Sequence, residues 1–167
     1  SGAAFALFEP KVFMDNLIRS WNKPAIVQQG TFASPAKPDL RISWICLDDV
    51  AAYMVEALTR DDIPSARYAI GGPEALLGDE VAERLSKVMG RTITFNSLTP
   101  DEFASDMSLL VTGSATVEPH SIYDGMASFY RFYNEQPISP LIADNASIDS
   151  VFSWRPVPFE QWAQRQD

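Results

Sequence analysis

The chain has 167 residues, of which 46% are hydrophobic, so it is long enough for one domain with a buried core and short for two. Its 22 acidic residues outnumber 13 basic ones, and the net charge of -9 disfavours nucleic acid and anionic membrane surfaces as partners. Cys46 is the only cysteine, which excludes an intrachain disulfide and a cysteine-based metal cluster. We expect a single cytoplasmic domain over residues 3–167, with Ser1-Gly2 as a tag remnant and no membrane-spanning segment.

The first elements are an expected strand and helix. Residues 4–8 are apolar and precede Glu9-Pro10, which is typical of a buried strand. Apolar residues at helical spacing between Val12 and Trp21 then predict a helix that Pro24 closes.

A loop, a strand and a second helix follow. Residues 28–40 contain two prolines, a glycine and small polar residues, and predict a surface loop. Residues 41–47 predict a short strand. Asp48 and Asp49 then indicate the capped start of a helix that extends to Leu58.

The middle of the chain alternates strands and helices. Residues 67–70 predict a strand, residues 78–89 a helix with Gly90 as its left-handed cap, and residues 91–98 another strand. The segment Thr99-Pro100-Asp101-Glu102 has the pattern of a capping box with proline at the first helical position.

Helices are expected in the last third. Apolar residues over 122–133 predict a longer amphipathic helix, and residues 146–152 and 158–165 fit short helical turns. Taken together, the elements predict a helix-rich α/β fold with a small sheet of short strands flanked by helices.

The glycine-rich turn after residue 70 is the segment that most resembles a cofactor loop. Gly71, Gly72 and Gly78 match neither the dinucleotide pattern G-x-G-x-x-G nor the phosphate-loop pattern G-x-x-x-x-G-K-[ST]. Glu74 also places negative charge where phosphates would bind. We interpret this turn as a connector.

The sequence gives little support for a catalytic histidine or a metal site. His120 lies four residues before Asp124, but no G-x-S-x-G elbow accompanies it, so a helix-capping or solvent-facing histidine is the better interpretation. Metal binding is not expected either, because the paired carboxylates lie at predicted helix starts or in a turn. These pairs are Asp48-Asp49, Asp61-Asp62 and Asp101-Glu102.

The predicted helix near residue 130 carries more aromatic side chains than one core-facing stripe can hold. It either packs on two sides, forms a dimer contact, or lines an apolar ligand pocket. The aromatic residues are Tyr123, Phe129, Tyr130, Phe132 and Tyr133.

Four segments in order resemble NmrA-like proteins, an atypical branch of the short-chain dehydrogenase/reductase superfamily. Residues 5–17 resemble the family's strand-Pro-x-x-Phe-Met-x-Asn-Leu element, and residues 42–58 its strand followed by Asp-Val-Ala and a helix. Residues 66–104 resemble its strand, the helix ending in Gly-Arg and the Pro-x-x-Phe helix start, and residues 154–163 its closing segment. The resemblance implies the C-terminal, substrate-side part of a Rossmann-like NmrA-type fold.

Several features that the family uses to bind the cofactor and transfer hydride do not occur in these residues. None of the eight glycines has the family's G-x-x-G-x-x-G spacing, and no tyrosine is followed by lysine four residues later. Glu9 stands where the family commonly has arginine. We therefore expect no NAD(P) binding unless a nucleotide-binding half comes from elsewhere.

A small set of residues is the candidate substrate-binding site. The resemblance matches Pro10, Phe13, Met14 and Asn16 to the turn and helix start beside the nicotinamide and substrate, and Asp49 to a helix cap. We add Trp44 and Tyr130 as possible walls of an apolar pocket. No catalytic, cofactor-binding or metal-binding residue is predicted.

Three functions remain open. The chain is first interpreted as a truncated, non-catalytic domain that binds a small apolar molecule or another protein. Alternatively, it is the substrate-binding part of an NAD(P)-dependent reductase whose nucleotide-binding half is supplied elsewhere. As a third possibility, it is a structural or regulatory module, and we expect a homodimer formed through the opening strand or the helix over 118–134.

Overall fold

The computed structural model describes residues 4–18 and 21–166. The strands are β1 (Ala6–Pro10), β2 (Val12–Phe13), β3 (Thr31–Ser34), β4 (Ile42–Ile45), β5 (Ala66–Ile70), β6 (Ala75–Leu76) and β7 (Thr94–Ser97). The α-helices are α1 (Leu47–Thr59), α2 (Gly78–Met89), α3 (Pro100–Thr112), α4 (Ile122–Glu135), α5 (Asn145–Asp149) and α6 (Phe159–Ala163). A 3₁₀ turn spans Met14–Ile18 and a π-helical turn spans Ala25–Gln29. This confirms the predicted helix-rich α/β class.

The chain divides into two compact units, and a single domain over residues 3–167 stays a prediction. The first unit comprises residues up to 16, then 42–76 and 141 onward; the second comprises residues 17–41 and 77–140.

The first unit is built on parallel strands. β1 pairs with β5 in parallel register, Phe8 opposite Tyr68, and β2 pairs in parallel with β4. β6 adds antiparallel to the other edge of β4. The buried strand β4 explains this arrangement, because all four of its residues are apolar or small and lie in the interior.

An aromatic cluster forms the core of the first unit. The rings of Tyr68 and Phe152 are 4.9 Å apart between centroids, and those of Tyr53 and Phe152 are 5.3 Å apart, both edge to face. Phe8 of β1 packs against the same rings. This cluster fixes β1, β5, α1 and the segment after α5 to one another.

The described residues of the second unit form the strand pair β3 and β7, the π-helical turn and the helices α2, α3 and α4. β3 pairs with β7, and the rings of Phe32 and Phe95 stack at 5.5 Å. A β-carbon at Gly78 would lie 2.3 Å from the ring of Phe95, so any larger residue at the start of α2 would require that ring to move.

Helices α3 and α4 pack together in the second unit. Phe103 meets Tyr130 edge to face at 6.1 Å, and Arg131 donates to Asp101 at 2.6 Å. Among the described residues, no helix has the length and apolar character needed to cross a membrane.

Two expectations for the start of the chain are wrong. β1 is not fully buried: Leu7 is 47% exposed, because it lies on the opposite face of the strand from Phe8. The expected helix between Val12 and Trp21 is wrong at its start, where Val12 and Phe13 form a strand because they pair with buried β4. Met14–Ile18 forms a 3₁₀ turn, and residues 19–20 of the expected helix lie outside the described residues. Pro24 precedes the π-helical turn instead of closing a helix.

The expected loop over 28–40 is wrong in part. It contains β3, whose pairing partner β7 lies some sixty residues later, so the local composition carried no signal of the strand. The Thr99 capping box is confirmed: its hydroxyl accepts from the Glu102 amide at 3.2 Å, and the Glu102 carboxylate accepts from the Thr99 amide at 2.8 Å. Gly90 adopts the expected left-handed cap, with φ of 63°.

Candidate functional site

In the first unit, the carboxyl ends of β1, β4 and β5 carry the segments that the resemblance assigns to the substrate side. Immediately after β5, the chain passes β4 through Gly71 and Gly72. A β-carbon at Gly71 would lie 2.6 Å from the β-carbon of Ser43, and one at Gly72 would lie 2.0 Å from the carbonyl oxygen of Trp44. Close backbone packing therefore accounts for both glycines.

The predicted site residues of the first unit lie along this crossing. Pro10 is the last residue of β1, opposite Ile70, and Phe13 is opposite Ile45. Met14 is 1% exposed and Trp44 is 5% exposed, so both lie in the interior. These buried side chains can hold neighbouring residues in place, but they offer no open face to a ligand.

Asn16 and Phe13 are more accessible. Both are half-buried, and Asn16 lies in the 3₁₀ turn that follows β2. These two residues are therefore the members of the predicted set in this unit best placed to contact a ligand, together with half-buried Pro10.

Tyr130, the remaining predicted site residue, lies in the second unit. It is half-buried against Phe103 and Phe129, with ring centroids at 6.1 Å and 5.1 Å. Burial raises the pKa of Tyr130 from 10.0 to about 12, so its hydroxyl stays protonated at an alkaline pH that would ionise an ordinary tyrosine. Its proposed role as a pocket wall stays a prediction.

Asp15 fixes the position of the turn that holds Met14 and Asn16, and sequence reasoning missed it. Its carboxylate accepts a hydrogen bond from the amide of Leu47, the first residue of α1, at 3.0 Å. This contact satisfies one of the amides that a helix leaves unpaired at its start. The acidic residue within the Met-x-Asn element was the available signal.

Asp49 was predicted to cap α1, and that prediction is wrong. Cys46 occupies the N-cap position, and Asp49 is 2% exposed. Its carboxylate accepts from the indole nitrogen of Trp154 and from the Val157 amide, both at 3.0 Å. Asp49 therefore anchors the closing segment of the chain.

Cys46 lies beside this anchor. Its thiol donates to Asp49 at 3.1 Å, and burial raises the pKa of Cys46 to about 12. A thiol held neutral in this way is a poor nucleophile, so the geometry gives Cys46 a packing role.

A cavity of about 850 Å³ opens beyond the carboxyl ends of β4 and β5. It is lined by residues near the start of α1, by Pro73 and by the closing segment from Trp154 to Gln166. In open α/β sheets ligands bind at this end of the strands. Its Trp154 wall could not be recognised from sequence, because that wall is formed by residues far from β4 and β5 in the chain.

Two acidic side chains near the strand ends, Glu9 and Glu74, are held by polar contacts. Glu9 forms an ion pair with Arg67 of the neighbouring strand, and Glu74 accepts from the Phe159 amide at 3.2 Å. Among residues 4–18 and 21–166, no group of three or more histidine, cysteine, aspartate or glutamate side chains is arranged to hold a metal ion.

Parallel strands connected through helices, with ligand-side segments at their carboxyl ends, define a Rossmann-like α/β chain. No family model matches it. The NAD(P)H azoreductase of Xenophilus azovorans is 35% identical over 130 residues, covering 78% of this chain and 42% of that protein. The chain thus spans less than half the length of this relative.

Solved structures share the fold. The NADPH-dependent quinone oxidoreductase of Escherichia coli, solved with NADPH, matches 98% of this chain and 54% of its own, with a TM-score of 0.76 and 18% identity. NmrA, a negative transcriptional regulator solved with NAD, matches 98% of this chain with a TM-score of 0.60 and 16% identity. The predicted resemblance to NmrA-like proteins is confirmed at the level of the fold, and the sequence matches are to reductases over the C-terminal portion of those proteins.

Proposed function

We propose that this chain is the substrate-side portion of an NAD(P)H-dependent reductase. The observation that carries the proposal is the 35% identity to the Xenophilus azovorans NAD(P)H azoreductase over 130 residues. The 167 residues contain neither G-x-x-G-x-x-G nor Tyr-x-x-x-Lys. The nicotinamide cofactor, which supplies the hydride, would therefore be held by a nucleotide-binding half outside these residues.

The turn after β2 would form the acceptor side of the site. Phe13 and Asn16 are its half-buried residues, and buried Met14 and Trp44 would hold their backbone in place. An apolar ring beside a polar amide suits a flat conjugated acceptor, such as an azo or quinone compound. These two classes are also those named for the azoreductase and the quinone oxidoreductase.

A chimaera tests the proposal. The matched residues of the azoreductase are replaced by this chain, and NADPH oxidation is followed with an azo dye and with a quinone. We expect acceptor-dependent oxidation that falls about tenfold or more in Phe13→Ala, because an aromatic contact with the acceptor is lost. Leu110→Ala, at an exposed leucine of α3, is the matched control. A chimaera that binds NADPH but reduces no acceptor would overturn the proposal.

A non-catalytic binding module is the second candidate. It is favoured by the exposure of Phe129 and Phe132 on α4, which are 43% and 55% accessible. In this case the chain would bind an apolar ligand or pair with a second copy through β1 or the helix over 118–134. Light scattering of the chain with and without Phe132→Ser would distinguish a dimer that uses α4 from a monomer.

A further inference from the structure

The cavity at the start of α1 lies apart from the turn that the proposed function assigns to the acceptor. Its volume of about 850 Å³ falls within the roughly 300–1,000 Å³ of small-molecule sites. Its described lining residues lie within 46–49, at 73 and within 154–166, and none of them belongs to residues 13–16. We call it the closing-segment cavity.

One wall of the closing-segment cavity is an irregular segment that two carboxylates of α1 hold in place. The amides of Ser153 and Trp154 donate to Glu56 at 2.7 Å and 2.9 Å. The amide of Val157 donates to Asp49 at 3.0 Å. Because this wall is already ordered, a ligand that contacts it loses little free energy to ordering the segment.

The indole ring of Trp154 gives the cavity a flat apolar face. Its nitrogen donates to the buried carboxylate of Asp49 at 3.0 Å, which fixes the orientation of the ring, yet the residue stays 43% exposed. The buried residues Cys46 and Trp162 also line the cavity. An exposed aromatic ring held in this way is suited to stack on a planar ligand ring.

Arg165 supplies positive charge to the cavity. It is exposed, and no carboxylate of residues 4–18 and 21–166 forms an ion pair with it. Arg155, the other lining arginine, is paired with Asp149 at 3.4 Å. The carboxylate of Asp49 accepts hydrogen bonds inside the protein, which leaves Asp48 as the exposed lining acid. Arg165 is therefore the lining side chain best able to bind an anionic group.

We propose that the closing-segment cavity binds a planar aromatic carboxylate, an activity independent of the proposed reductase function. The ring of the ligand would stack on Trp154, and its carboxylate would pair with Arg165, with the side-chain amide of Gln161 as a further donor. A guanidinium and a carboxylate can form two parallel hydrogen bonds, so this pair also orients the ring. Because a guanidinium only donates, Arg165 favours an acid over an amine.

NMR titration of the 167-residue chain with 2-naphthoate tests the proposal, with the indole N–H resonance of Trp154 as the reporter. We expect a saturable shift with a dissociation constant of about 1 mM or lower. Arg165→Gln should weaken the binding of 2-naphthoate about fivefold or more, because a charge-assisted hydrogen bond is lost. The neutral 2-naphthalenemethanol should bind more weakly than 2-naphthoate, and equally to the parent chain and to Arg165→Gln.

Two further variants separate a specific site from a general effect of charge. Arg67→Gln removes the same charge from an exposed arginine of β5 that does not line the cavity, and it should leave the binding of 2-naphthoate unchanged. Gln161→Glu adds a negative charge at an exposed lining residue. It should weaken the binding of 2-naphthoate and leave that of the neutral alcohol unchanged.

Four results would overturn the proposal. The first is the absence of a saturable shift at Trp154. The second is an equal effect of Arg165→Gln and Arg67→Gln, which would reduce the role of Arg165 to net charge. The third is tighter binding of 2-naphthylmethylamine than of 2-naphthoate, since Asp48 would then govern the cavity. The fourth is a set of shifts confined to residues 13–16, which would place the probe at the turn after β2 and leave the proposed function intact.

Discussion

The α-carbon of Gly72 packs against the backbone of Trp44, so that a β-carbon there would lie 2.0 Å from the carbonyl oxygen. No rotamer change relieves a clash with backbone. We expect Gly72→Ala to lower the free energy of unfolding by about 1–3 kcal/mol, the usual cost of overpacking, measured by urea denaturation.

Gly125 is the control for the glycine variant. A β-carbon at Gly125, inside α4, would meet nothing within 4 Å. Gly125→Ala should therefore raise stability by about 0.5–1 kcal/mol, because alanine loses less backbone entropy in a helix. Similar effects of the two variants would contradict the packing interpretation.

Substitution of the buried Asp49 should lower the stability of the fold far more than substitution of the exposed Asp48. Asp49→Asn keeps the size of the side chain but replaces an acceptor oxygen that binds Trp154 or Val157 with an NH₂ group. We expect a loss of about 1–3 kcal/mol, checked by thermal and urea unfolding. Asp48→Asn, one residue earlier and exposed, should have little effect; an equal loss at both positions would show that Asp49 is no anchor.

Stability should fall at alkaline pH through Tyr53. Burial raises the pKa of Tyr53 from 10.0 to about 12, so the folded state favours the neutral phenol. The contribution is complete below pH 10 and is lost as the pH rises towards 12, by about 2–3 kcal/mol at most. Urea denaturation at pH 8 and pH 11 should show this loss, and Tyr53→Phe should reduce it. An unchanged pH dependence in Tyr53→Phe would be the contrary result.

The start of α3 should depend on its capping box. Thr99→Ala removes the hydroxyl that accepts from the Glu102 amide, and we expect a cost of about 1 kcal/mol in urea denaturation. Thr99→Ser retains the hydroxyl and should remain close to the parent chain. A serine variant as unstable as the alanine variant would show that the methyl group, not the cap, is responsible.

Local chemistry made part of the fold predictable. The capping box at Thr99 and the left-handed cap at Gly90 depend only on neighbouring residues, and both are confirmed. β3 and β2 were missed because their strand character comes from pairing with distant partners. Phe32 of β3, for example, is opposite Phe95 of β7.

The same limit applies to the candidate site. The spacing around Gly71 and Gly72 was enough to favour a connector, but only the structure shows that β4 leaves no room for side chains there. Asp49 resembled a helix cap because it follows a strand. Its real partners, Trp154 and Val157, lie 105 and 108 residues later.

The central claim is that these residues serve the acceptor side of a reductase and depend on a separate nucleotide-binding half. Calorimetric titration with NADPH, of the isolated chain and of the azoreductase chimaera, tests it most directly. We predict no binding to the isolated chain at micromolar concentrations and clear binding, with acceptor-dependent oxidation, in the chimaera. Micromolar binding of NADPH by the isolated chain would contradict the claim.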